Sequence, residues 1–165
     1  MIKASKSLSI QRRMSLMKGW TTEIEINTPK QLVWEQVTTF TAYSDWNPFV
    51  IEAYGEFQVG EKIHFLEDIQ QFGKHWLKAN FLSIDPPNSF VWQGCFGANF
   101  LFAVRHSFIF DAIDKDKTRF TQVHENSGFL IPYLAWRGIY CVSYQGYLNY
   151  NQALKERCEH LFRSN

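Results

Sequence analysis

The sequence predicts an α+β fold. A curved antiparallel sheet of about seven strands should wrap around a long C-terminal helix, with two short helices after the first strand. Three observations predict it. A period-two segment near the start is followed by two compact helical patterns. Six further strand-like segments then succeed one another, separated only by turn residues. From about Ile131 to Phe162 the apolar period becomes helical.

The elements follow in order. "WTTEIEIN" (Trp20–Asn27) alternates and is rich in Thr and Ile, the pattern of a strand. Asn27-Thr28-Pro29 supplies a cap residue and a proline for an early helical position. In "PKQLVWEQVTTF", Leu32, Val33, Val37 and Phe40 recur at helical spacing. "TAYSDW" reads as a second short helix turned against the first. Asp45, Asn47 and Pro48 read as the turn that ends it, since proline cannot continue a helix and extends the residue before it.

Six strands are then expected in "FVIEAYGEF", "EKIHFLEDI", "HWLKANFLSID", "SFVWQGCF", "FLFAVRHSFIFDAID" and "TRFTQVHENSG". Short connections between them imply an antiparallel meander, with one face on a core and one in water. In the final helical segment, Tyr140, Tyr144, Tyr147, Asn151, Leu154, Cys158 and Leu161 share one face. Gly138 and Gly146 weaken the helix locally and allow a bend or a close approach there. A sheet this long should twist and curl around that helix, enclosing a space between them.

Composition narrows the function. The 165 residues fit one domain with its own core. The 17 basic residues nearly balance the 16 acidic ones, so no overall charge draws the chain to nucleic acid. Aromatic residues are 17% of the chain, which is high. Three cysteines without a C-x-x-C pair point to a reducing compartment, the cytoplasm. No apolar run approaches the roughly 18 residues of a membrane span. Residues 1–18 stand apart as a basic tail with Lys3, Lys6, Arg12, Arg13 and Lys18 and no acid, and residues 19–165 form the domain. That tail is either a loose terminus or a peripheral contact for an anionic membrane.

Four stretches carry a resemblance. "VWEQVTTFTAYSDWNPFV" resembles the helix–helix–W-N-P-F signature of the START-like, polyketide cyclase/dehydrase and lipid-transport superfamily. "FLSIDPPNSFVWQG" is similar to its D-P-P…L-x-W-x-G crossover. "RHSFIFDAIDKDKTRFTQVHENSG" is similar to its H-x-F…T-R-F…E-x-S-G hairpin, and "GYLNYNQALKERCE" to its closing helix. The four occur in the family's order from Trp20 onward. The resemblance implies a helix-grip fold with a cavity for an apolar or amphipathic small molecule, a lipid or a polyketide-like aromatic. Members include carriers and enzymes alike, and fold does not choose between them.

Alternation places His106 on the inward face with Phe102, Val104, Phe108 and Phe110. If a hairpin closes at Asp114–Lys117, His106 lies near His124, Glu125 or Asn126, and one residue of register decides which. A buried His beside a carboxylate is a general base or a satisfied structural pair. His106 and Glu125 as proton-transfer pair, with Tyr144 as donor, are the catalytic candidates. The ligand-facing candidates are Trp46, Phe49, Phe65, Trp76, Trp92, Phe102, Phe108 and Phe129, with Tyr140, Tyr144 and Tyr147 on the helix and His106 and Glu125 again; the aromatic ones also read as core packing. The five histidines lack zinc-like spacing, and neither a phosphate loop nor G-x-S-x-G occurs. The expectation is a binding protein without metal or cofactor, with a cyclase, dehydratase or lyase as the alternative.

Overall fold

The structure is a computed structural model, and it describes residues 18–95 and 97–164. The expectations for residues 1–17 lie outside them. Strand β1 (Gly19–Ile26) leads into helix α1 (Lys30–Thr38), a 3-10 turn at Phe40–Ala42 and helix α2 (Tyr43–Trp46). Strands β2 (Val50–Gly55), β3 (Lys62–Ile69), β4 (Gly73–Asp85), β5 (Ser89–Cys95), β6 (Ala103–Asp114) and β7 (Lys117–Ser127) follow. Helices α3 (Ile131–Arg137) and α4 (Ile139–Ser164) close the chain.

The seven strands form one antiparallel sheet in the order β1-β7-β6-β5-β4-β3-β2. Alternation decides its faces. In β5 and in most of β7 every second residue is buried, so a Phe, Trp or Gln on one parity meets the core and its neighbours meet water. Bulges interrupt β2, β4 and β6 and bend the sheet. α4 lies along the concave face through Tyr147, Tyr150, Asn151, Leu154 and Cys158, all buried. Each fully buried Phe of this core contributes about 1.5–3 kcal/mol by leaving water, and Phe81, Phe90, Phe110 and Phe120 are all within 1% of full burial.

Local details correct three expectations. The single C-terminal helix is two, because Gly138 takes a left-handed φ of 82° and ends α3. Asn27 does not cap α1. Pro29 occupies the cap position, and the Asn27 amide bonds Glu159 on α4 at 2.8 Å instead, tying β1 to that helix. Asp45 belongs to α2 rather than to the turn. The turn itself is Asn47-Pro48: the buried Asn47 side chain accepts the backbone N–H groups of Phe49 and Val50, each at 3.0 Å.

Candidate functional site

Two spaces lie between α4 and the sheet. The inner one, framed by Phe65, Trp92, Phe108, Tyr147, Tyr150 and the Glu67 carboxyl, has a volume of about 10 Å³. That is room for roughly one water molecule. The enclosed space expected from the sequence is therefore almost filled by inward-facing rings. The second space is an open cleft of about 260 Å³ lined by Pro48, Phe49, Asp68, Gln70, Gln145 and Asn149, among others.

One wall divides the two. Phe49 and Val50, Asp68 and Glu67, and Gly146 and Tyr147 are chain neighbours, and in each couple the first lines the cleft and the second the cavity. The Phe49 ring packs on Tyr147 with centroids 4.9 Å apart. It sits directly on the helix backbone at Gly146, where an added methyl group would overlap the ring. Glycine at 146 costs helix stability but gives the phenyl ring its seat.

Behind that wall stands the Glu67 carboxyl, 3.5 Å from the Tyr147 hydroxyl, which points its proton at Oε1. Burial lifts the carboxyl from 4.5 to about 7, against the lowering effect of the Tyr147 contact. Near neutral pH a large share of it is a neutral acid, able to donate a hydrogen bond to a guest. Burial first, then the nearby Glu67 charge, hold the Tyr147 phenol firmly protonated. Deeper in, Tyr43 donates to the Val37 carbonyl at 2.7 Å and lies 3.1 Å from the Tyr150 hydroxyl.

A separate polar chain crosses β6, β7 and α4. His106, fully buried, lies 3.0 Å from Gln122 Oε1 through Nε2 and 3.0 Å from His124 Nδ1 through Nδ1. Gln122 donates onward to Asn151 at 2.6 Å, which fixes its carbonyl towards His106. His106 Nε2 therefore carries the proton, and its Nδ1 accepts from His124. Nε2 of His124 is then an acceptor, met by the Asn126 amide 3.1 Å away when that amide presents its NH₂. Burial keeps both rings neutral: it drives His106 well below its ordinary value and His124 down to about 3.

The structure places the sequence candidates one by one. His106 faces inward, but both ring nitrogens are engaged, and Trp92, Phe108 and Tyr147 stack around it at 4.6–5.1 Å. It does not line the cavity. The proposed partner Glu125 lies across from Arg105 on the outer face, in an exposed pair at 4.0 Å. The His106–Glu125 couple is thus not formed. Its cause is the bulge between Ala112 and Asp114: Asp114 pairs with Lys117, and one unopposed residue later His106 meets His124. Tyr144 is half-buried, with its ring 6.1 Å from that of Trp20.

Phe65, Trp92, Phe108 and Tyr147 meet at the inner cavity, and Phe49 at the wall. Tyr140 and Phe102 pack on each other towards the start of α4. Trp46 lies under α2 on Tyr43 and Tyr150, lining neither space. Trp76 is on the convex face beside Tyr54, and Phe129 is 82% exposed, so neither faces the interior. Glu67 and Tyr150 were not anticipated. Glu67 had a signal: in "IHFLEDI", Ile63, Phe65, Glu67 and Ile69 share one parity, which puts an acid on a buried face.

A curled sheet gripping a C-terminal helix, with a polar-tipped aromatic interior, defines a START-like helix-grip protein. Residues 17–132 match the family model described as polyketide cyclase / dehydrase and lipid transport, and the chain belongs to that family. The Zhui aromatase/cyclase from Streptomyces sp. R1128 superposes with a TM-score of 0.72 at 15% identity, covering 86% of this chain and 93% of that one. A START superfamily protein from Mycobacterium smegmatis gives 0.69 at 14% identity, covering 87% and 99%. The di-domain aromatase/cyclase BexL gives 0.67 at 11% identity, covering 86% of this chain and 50% of that one. At such identities the likeness concerns the fold. No curated protein sequence matches the chain. Among the described residues no helix is long and apolar enough to cross a membrane, and no three metal-ligating side chains converge.

Proposed function

We propose that the protein binds an apolar or amphipathic small molecule between the sheet and α4. The guest enters from the cleft when the Phe49 ring leaves its seat on Gly146, and the cavity widens as rings re-rotate. The observation that carries this reading is the Phe49 wall: a single phenyl side chain, packed on a glycine, stands between an open cleft and a cavity holding a neutral acid and a phenol. Ligand sites are typically apolar with a few placed polar groups. Glu67 donates to a carbonyl or hydroxyl of the guest, and Tyr147 orients it. The family's lipid and polyketide associations support the same class of guest.

The test is native mass spectrometry and thermal shift with a panel of fatty acids, sterols and polycyclic phenols. Phe49→Ala should join the two spaces, speed uptake and raise the stabilisation by the best binder. Gly146→Ala should push the ring out and act the same way. If neither the wild type nor Phe49→Ala retains any member of the panel, the reading fails.

An acid–base reading has one observation in its favour. Glu67 titrates near neutrality and faces the cavity, so it can pass a proton to or from a bound guest. In that case turnover is lost in Glu67→Gln and kept in His106→Gln, the reverse of what a His106 base requires.

A further inference from the structure

Four large side chains stand in the open at one end of the molecule. Phe129 is 82% exposed, Trp136 73%, Phe100 64% and Tyr133 50%. They are not scattered. Tyr133 and Trp136 are on α3, and the β5–β6 and β7–α3 loops that carry Phe100 and Phe129 are bonded together, Phe129 N–H to the Phe100 carbonyl at 3.0 Å and Leu130 N–H to that of Leu101 at 2.9 Å. Gly128, at φ 115°, allows that approach, since any side chain there would overlap the Leu101 backbone. The Tyr133 and Trp136 rings lie 6.1 Å apart, and the Arg137 guanidinium sits 5.9 Å from the centre of Tyr133 and 5.8 Å from that of Phe72 in the β3–β4 hairpin. An aromatic patch held this firmly marks a contact surface.

The stretches that carry it are free of acid. Residues 97–110 and 126–145 contain no Asp or Glu, but they carry Arg105 and Arg137. Glu125, just before the second stretch, is paired with Arg105. The segment ahead of the described chain adds Lys3, Lys6, Arg12 and Arg13 without an acid. It joins the fold at this end, because Gly19 pairs with Glu125, three residues before Gly128.

We propose that this end docks on an anionic lipid surface. The Phe, Tyr and Trp rings seat at the level of the headgroups, and Arg137 and the basic segment neutralise the lipid charge. Charge argues against the other occupants. The basic segment folded over the patch would bring like charge to like, and so would a second copy meeting it across a two-fold axis. The cleft opens nearby: Gln70 on its rim belongs to the Phe72 hairpin, and Val142 follows the patch by one turn of α4. This docking is independent of what the cavity holds.

The experiment is co-sedimentation of the full chain with vesicles of phosphatidylcholine alone or mixed with phosphatidylglycerol. The protein should bind the mixed vesicles and not the neutral ones, with a blue shift of tryptophan emission and weakening by salt. Phe129→Ser with Trp136→Ser should reduce binding on the order of a hundredfold or more, as the loss of two buried rings implies. Phe129→Ser alone serves if the double variant melts early. Replacing Lys3, Lys6, Arg12 and Arg13 by Gln should also weaken binding and flatten its salt dependence. Three results overturn the proposal: equal binding to neutral vesicles, no binding to either, or binding unchanged in both sets of variants. A concentration-dependent dimer in ultracentrifugation that the Ser variants abolish, without vesicle binding, assigns the patch to a second copy instead.

Discussion

The two ends of the interior are built on opposite principles. Around α1, Trp34 packs on Phe57, Phe90 and Phe110 at 5.2–5.8 Å, and Phe110 packs on Phe120 at 5.1 Å. The ionisable ring at their edge is Tyr150, stacked on Phe120 with centroids 6.2 Å apart. Around the first half of α4, Glu67, Tyr147, His106, His124, Gln122 and Asn151 are inside the same fold. The first region gains stability from area and dispersion alone. The second forgoes part of that gain to keep polar groups under cover, hydrogen-bonded to one another except at the Asn151 amide nitrogen, and several held far from their ordinary titration range. A fold that needed only stability would fill both ends alike, and the difference is what supports the proposal of a site at the α4 end.

The largest expected effect separates the two ends directly. Phe110→Ala removes a ring from the apolar end and should cost about 3–5 kcal/mol in urea unfolding. Tyr147→Phe removes only a hydroxyl 3.5 Å from its acceptor, and should cost less than about 1 kcal/mol. Equal costs would mean that the polar end is as tightly committed to packing as the apolar one.

The next effect is a pH dependence. His106 and His124 are neutral in the fold and protonate ordinarily when unfolded. Their contribution is complete above pH 6.5 and is lost as pH falls towards the folded values, at up to about 1.4 kcal/mol per pH unit for each ring. Glu67 works against one of them between 4.5 and about 7. In His106→Gln the acid-side fall should lose about 1.4 kcal/mol per pH unit of slope, read from urea midpoints between pH 4.5 and 8. Glu125→Gln, on an exposed residue across from Arg105, should leave the same curve in place. An unchanged slope in His106→Gln would remove the buried neutral pair from the account.

These contrasts show what the sequence carries and what it does not. Strand and helix order was legible because period two and period 3.6 are written in every segment, and Gly146 was already marked for a close approach. The partner of His106 was not legible. Counting back from the Asp114–Lys117 turn gives Glu125, and a bulge of one residue, which leaves no mark in the side chains, replaces it with His124. Nor was the size of the cavity. Fifteen Phe residues name the rings but not their rotamers, and it is the rotamers of Phe65, Trp92 and Phe108 that leave about 10 Å³. Exposure was hidden as well: Phe129 in the β7–α3 loop and Trp76 on the convex face of β4 both read as lining because large aromatic residues are usually well buried.

The smallest of the effects tests the polar end from inside. The Glu67 carboxyl holds a proton up to about pH 7 in the fold but only to 4.5 when unfolded. The native state therefore binds more protons between those values, and stability must fall as pH rises through that window and level off above it. Glu67→Gln keeps the shape and the hydrogen-bonding edge but cannot ionise. At pH 8 the variant should be more stable than the wild type by on the order of 2 kcal/mol, allowing for partial solvent access. Below pH 4.5 the advantage should vanish, since both states of the wild type are then protonated. The convergence is diagnostic, because a packing change would shift the two curves by the same amount at every pH. A bound guest that accepts a hydrogen bond from the neutral acid should push the wild-type step to higher pH, and in Glu67→Gln there is no step to move.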